Sequence, residues 1–112
     1  MVKRYVPQRG DLIWLTFDPQ TGHEQKGHRP AIVLSPDYYN RASGLALVCP
    51  ITSQSKGYPF EVPVSQGKVK GVILSDQVKS LDWSVRRASF VARAADTTLS
   101  AVIENVAALL KD

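Results

Sequence analysis

A chain of 112 residues, 44% hydrophobic and 21% charged, has room for one hydrophobic core, read as a single domain over residues 1–112. Its apolar runs are broken by Pro, Ser or charge, and the basic residues 1–7 have no apolar stretch behind them. Neither a membrane span nor a signal peptide is therefore expected, and the chain is assigned to the cytoplasm. The excess of 14 Lys and Arg over 10 Asp and Glu, net +4, suits a polyanion or an acidic protein partner.

In chain order, Asp11–Phe17 alternates in character and predicts a strand. Within it Trp14 shares a face with Leu12 and Thr16, opposite Ile13, Leu15 and Phe17; burial is the simpler expectation for Trp14 and only a little less so for Phe17. Ala31-Ile32-Val33-Leu34, residues 45–51 and Val72-Ile73-Leu74 predict further strands, with weaker versions at Phe60-Glu61-Val62 and Ser89-Phe90-Val91. Short strands separated by Gly and Pro turn signals predict a mainly β fold, a small closed or half-closed barrel. The single cysteine, Cys49, excludes an internal disulfide and reads as a core thiol rather than a nucleophile. The tail changes period: Leu99, Val102, Ile103, Val106, Ala107, Leu109 and Leu110 form one apolar face of a helix, packed on the barrel or on a partner subunit.

Three intervals read as loops: residues 18–28, 52–59 and 65–71. Loops on a rigid barrel are where binding and chemistry gather. The first, with His23, Glu24, Lys26, His28 and Arg29, gathers a carboxylate, imidazoles and cations. Arg29, held between this loop and the apolar strand after Pro30, has the setting of a phosphate clamp. Zinc binding by His23, Glu24 and His28 is disfavoured by their spacing, so no metal and no cofactor are expected. The second loop offers Thr52, Ser53, Gln54, Ser55 and Lys56, side chains that grip phosphate oxygens and base edges. Phe17 and Tyr58 supply rings on which an unpaired base can stack.

The ordered set Gly10-Asp11-Leu12-Ile13-Trp14, Phe17-Asp18-Pro19, Gly22-His23-Glu24-Gln25, Arg29-Pro30-Ala31, Val33-Leu34-Ser35, Pro50-Ile51-Thr52, Ser55-Lys56-Gly57 and Asp76-Gln77-Val78-Lys79-Ser80-Leu81-Asp82 resembles the MazF/PemK toxins along nearly the whole chain. The resemblance implies an SH3-like antiparallel β-barrel with a C-terminal α-helix, working as a homodimer. It implies a toxin of a toxin–antitoxin pair that cuts single-stranded mRNA, inhibits translation and is neutralised by a cognate acidic antitoxin. The family's catalytic positions fall on Arg29, Thr52 and Glu24. Substrate reading is expected of Phe17, His28, Ser53, Gln54, Lys56, Gln77 and Lys79, at a site containing ACA. A related barrel poisons gyrase through a terminal Trp-Gly-Ile, which the ending Leu109-Leu110-Lys111-Asp112 lacks. A barrel that grips RNA without cutting it is the competing expectation, against which both Arg29 and Thr52 are present.

The expected chemistry is metal-independent transesterification: the ribose 2′-OH attacks phosphorus, leaving a 2′,3′-cyclic phosphate and a 5′-OH. Arg29 and Thr52 would stabilise the non-bridging oxygens. The acid and base stay open among Glu24, His28 and Arg29, because an ordinary Glu is a weak base and a guanidinium a reluctant one.

Overall fold

The computed structural model describes residues 5–17 and 27–111. Strands β1 (Asp11–Phe17), β2 (Gly27–Val33), β3 (Leu45–Thr52), β4 (Glu61–Gln66), β5 (Val69–Leu74), β6 (Lys79–Asp82) and β7 (Ser89–Arg93) are joined by α1 (Asp37–Ser43) and followed by α2 (Asp96–Lys111). Every pairing is antiparallel, in the order β4-β5-β3-β2-β1-β7 with β6 also on β3. The bend lies in β3. Its first half, Leu45–Val48, pairs with β6, whereas its last residues, Ile51 and Thr52, pair with β5. One strand thus serves two sheet directions, and the sheet curls into the expected barrel-like fold as a half-barrel.

Curling gives the sheet two apolar layers. Inside lie Leu12, Ile32, Cys49, Ile51, Val62, Val64, Val69 and Ile73, sealed by Val102 of α2 with Leu99 and Val106 beside it. On the outer face, Ile13, Leu15, Phe17, Ala31, Val33, Ala46 and Val48 gather under Trp83, with Tyr5 and Leu81 at the margin. Successive strand residues point to opposite faces, so β1 buries both Leu12 and Ile13. Only the Ile13 face stays covered along the whole strand; the Leu12 face opens at Trp14 and Thr16.

α2 is the tail helix read from the sequence, starting at Asp96 and ending at Lys111, charges that suit its two dipole ends. Its Val102 stripe faces the barrel, while Ile103, Leu109 and Leu110 remain exposed. No helix among the described residues is long and apolar enough to cross a membrane.

Three features depart from the sequence expectation. Residues 65–71 are not a loop but the β4–β5 hairpin, whose Gln66↔Val69 register leaves only Gly67 and Lys68 in the turn. Gly67 sits at φ +58°, the left-handed backbone such tight turns need. The polar Ser65, Gln66 and Lys70 masked these strand ends. α1 is short and mostly polar, so it carries no apolar period. It begins after Pro36 and stops at Gly44, whose left-handed backbone lets its N–H reach the Asn40 carbonyl. β6 is four residues long with one apolar side chain, too short to show a period. α1 is pinned by the buried Asn40 side chain, whose Nδ2 donates to the carbonyls of Pro7 at 2.8 Å and Ser35 at 3.0 Å.

Candidate active site

The site grows from strand register. β2 and β3 pair Ala31 with Pro50, and just beyond that pair Arg29 of β2 and Thr52 of β3 line the same clefts. Arg29 is half-buried and Thr52 buried, so a cation and a hydroxyl stand together where the strands run out into loops. The Thr52 Oγ1 accepts the Gln54 N–H at 3.1 Å. A hydroxyl donates one hydrogen while accepting others, so this contact orients Thr52 and leaves its O–H to donate.

Arg29 and Thr52 form a wall shared by two clefts. The larger, about 590 Å³, is completed by Gln54, Lys56 and Tyr58 of the β3–β4 connection, Glu61 of β4, Leu74 at the end of β5, and Asp76 and Gln77 after it. It falls within the roughly 300–1,000 Å³ usual for ligand sites. The smaller, about 230 Å³, lies on the other side of the pair, between Trp14, His28 and Pro30 on one flank and Ser53, Lys68 and Lys70 on the other. Its named charges are all cationic, whereas the larger cleft mixes Arg29 and Lys56 with Glu61 and Asp76.

Glu61 organises the loop that carries Gln54 and Lys56. Its carboxylate accepts hydrogen bonds from the Ser55 hydroxyl at 2.8 Å, the Lys56 N–H at 3.0 Å and the Gly57 N–H at 3.1 Å. The Lys56 amide, then the Ser55 hydroxyl, hold this carboxyl below the usual Glu range. No motif marks this role, because two of the bonds are made with the backbone of a loop and the third with a single serine hydroxyl. At the far end of the cleft the Gln77 side-chain oxygen is buried and meets no hydrogen-bond donor among the described residues.

The residues singled out from the sequence fare unequally. Arg29, Thr52, Gln54, Lys56 and Gln77 line the larger cleft, and His28 and Ser53 the smaller. Lys79 pairs with Val48 across β6 and β3 and lines neither. Glu24 and His23 lie outside the described residues. Phe17 requires a correction. It is 2% exposed, packed in the outer apolar layer, and offers no face to a base. Trp14, expected in the core, takes the position anticipated for Phe17: half-buried and stacked flat on His28 at the rim of the smaller cleft. His28 is further fixed by a 3.3 Å contact between its Nδ1 and the Thr16 hydroxyl. Cys49 is fully buried, as expected of a core thiol.

Comparison with known proteins adds to this geometry. Residues 8–110 match the family described as the PemK-like, MazF-like toxin of type II toxin–antitoxin systems. The chain is 60% identical to the endoribonuclease toxin MazF of Escherichia coli (strain K12), over 80% of each chain. It is 36% identical to the endoribonuclease toxin ChpB of the same organism, over 99% of this chain and 100% of that one. Among solved structures, MazF of Deinococcus radiodurans superposes with a TM-score of 0.92 at 50% identity, covering 97% of this chain and 100% of that one. A MazE–MazF complex from that organism superposes at 0.85 with 45% identity, covering 96% and 97%.

Proposed function

This chain belongs to the PemK-like, MazF-like toxin family of type II toxin–antitoxin systems and is an endoribonuclease, and we propose that it cuts single-stranded mRNA between the two clefts by metal-independent attack of the ribose 2′-OH. The observation that carries this reading is the pairing of Arg29 with Thr52 on the wall both clefts share. A strand of RNA crossing that wall leaves nucleotides on either side and one phosphate between a guanidinium and a hydroxyl.

The 2′-oxygen forms a bond to phosphorus and the bond to the 5′-oxygen breaks, giving a 2′,3′-cyclic phosphate and a 5′-OH. The 2′-hydroxyl proton passes to a base and the departing 5′-oxygen takes one from an acid, roles that stay between Glu24, His28 and Arg29. As the phosphorane forms, negative charge grows on its non-bridging oxygens. Arg29 offers two parallel N–H donors and a full charge, and Thr52 a pre-oriented O–H. Each such donor is worth about 3–4 kcal/mol at the transition state.

Recognition falls to the larger cleft. Gln54 and Lys56 project from a loop tied down by Glu61, and Gln77 brings a side-chain amide to the same cleft, a group that can pair with the edge of an adenine. That is compatible with an ACA-containing site. Unpaired RNA is required, because an A-form duplex hides its base edges. The cationic smaller cleft favours a backbone phosphate, and the Trp14–His28 stack a base face.

The relatives crystallised with MazE support an antitoxin partner here also, and an acidic one suits the net charge of +4. A homodimer is supported by an apolar groove of about 440 Å³ between α2 and the β3–β6 region, where Leu47, Val78, Ile103 and Leu110 are exposed together.

The test is incubation of the protein with a long unstructured RNA in EDTA, beside Arg29→Ala and Thr52→Ala, with fragment ends mapped. Cuts at one short sequence, ending in cyclic phosphate and missing in both variants, support the reading. Cutting of RNA carrying 2′-deoxyribose at the scissile position overturns the mechanism. Binding without any cutting replaces catalysis with RNA capture.

A further inference from the structure

Thr52 ends β3 against β5, where the register pairs it with Val72 and leaves Gly71 beside the exit from the strand. Gly71 itself is paired with Val64 of β4, so it lies inside a strand, where glycine is a poor choice unless another backbone comes close. Here one does. A Cβ built on Gly71 would stand 2.2 Å from the Thr52 carbonyl oxygen, 2.9 Å from its carbonyl carbon and 3.2 Å from the Ser53 Cα. All three atoms are backbone, which has no flexible end to swing aside. The Gly71 backbone, at φ +154°, is itself one that L-residues rarely adopt.

We propose that Gly71 is a positioning residue for the reaction: its missing side chain lets β5 press onto the Thr52 carbonyl and so sets where the Thr52 hydroxyl stands at the cleft wall. The inference rests on the role assigned to Thr52 above. The neighbouring loop has a separate anchor, since the Lys56 and Gly57 amides are tied to Glu61 of β4. Displacing Thr52 therefore moves the reacting wall, and with it the Gln54 N–H that bonds the Thr52 hydroxyl at 3.1 Å, while Lys56 and Gly57 keep their hold on Glu61. The expected signature is a loss in kcat larger than any rise in KM.

A Cβ at Gly71 requires the two strands to part by about 1 Å, and a misplacement of that size costs on the order of 100-fold in rate. The experiment is a four-way comparison of the wild-type protein, Gly71→Ala, Thr52→Ala and the double variant. In each, kcat is referred to the fraction of protein that binds an uncleavable 2′-deoxy RNA, so that partial unfolding does not count as lost chemistry. Gly67→Ala in the same hairpin is the control, because a Cβ there meets only the Ala92 Cβ, at 3.4 Å.

The proposal predicts that Gly71→Ala lowers kcat per binding site about 100-fold, that adding it to Thr52→Ala lowers kcat no further, and that Gly67→Ala affects stability alone. Non-additivity of this kind marks residues acting through one another. An equal loss in the wild-type and Thr52→Ala backgrounds overturns it, as does a Gly71→Ala protein with no binding-competent fraction at any temperature, since the glycine then serves the fold alone. Full activity in Thr52→Ala overturns instead the reading of Thr52, while an unimpaired Gly71→Ala beside an inactive Thr52→Ala overturns the inference about Gly71 and leaves that reading standing.

Discussion

The indole of Trp14 lies flat on the imidazole of His28, ring centroids 5.3 Å apart and planes within 4° of parallel. The two residues reach each other diagonally across β1 and β2, whose register pairs Trp14 with Pro30 and Thr16 with His28. The platform sits beside Lys68 and Lys70 at the rim of the smaller cleft. Trp14 is half-buried and His28 exposed there, whereas Phe17, three residues on from Trp14, is enclosed.

Trp14→Ala and Phe17→Ala should therefore separate cleanly. Removing a base-stacking ring costs about 1–3 kcal/mol of binding, so Trp14→Ala is expected to raise KM for RNA by roughly 5- to 150-fold with a small effect on stability. Truncating a core Phe costs about 3–5 kcal/mol of folding free energy. Thermal unfolding with parallel steady-state cleavage reads both. A Phe17→Ala protein of normal Tm but weak RNA affinity would reverse the assignment.

A second prediction concerns the charge of Arg29 as against its shape. Lys keeps the charge but loses the planar fork that holds two oxygens of one phosphate. Arg29→Lys is expected to bind RNA close to normally yet lose on the order of 100-fold in kcat, approaching Arg29→Ala. Full activity in Arg29→Lys would mean that a point charge suffices.

Much of this site was legible in the sequence, and the misses have physical causes. Arg29 and Thr52 could be singled out because each closes or opens an apolar strand, so their side chains had to emerge at a barrel end. Their mutual position is a matter of β2–β3 register, which composition does not encode. The alternation in β1 correctly divided Trp14 from Phe17, but parity does not say which face is covered. That depends on Trp83 and Tyr5, distant in the chain, which roof the Phe17 side. Glu61 and Gly71 were invisible for a related reason. One works through hydrogen bonds to main-chain amides and the other through the absence of atoms, and neither leaves a motif.

Glu61 leads to a prediction with a defined pH direction. Because its carboxyl is held below the ordinary Glu value of 4.5, the ionised form that grips the loop is complete at neutral pH and persists down through the usual Glu range. The grip is lost only as pH falls through the lowered value. The amide resonances of Lys56 and Gly57, followed from pH 7 downward, should move together with a midpoint below 4.5. Glu61→Ala should release the loop at neutral pH and raise KM more than it lowers kcat. Amides that titrate above that value, or a Glu61→Ala enzyme with unchanged KM, would show that the loop is held by something else.

Cys49 gives the last prediction, which also disposes of a thiol nucleophile. Burial first, and then the negative charge of Asp76, push its thiol up to about 12. The side chain is enclosed by the inner apolar layer, with the Ser75 carbonyl 3.9 Å from Sγ. A raised value favours the neutral thiol in the folded state, a contribution fully present below the unfolded thiol value near 9 and lost as pH rises towards 12. At pH 8 the native protein should therefore resist a thiol reagent and react fully once denatured, with a rate that tracks the unfolded population. Cys49→Ala should retain cleavage while losing about 1 kcal/mol of stability. Rapid labelling of the folded protein, or an inactive yet folded Cys49→Ala, would return the thiol to the reaction and remove the case for Arg29 and Thr52 acting without it.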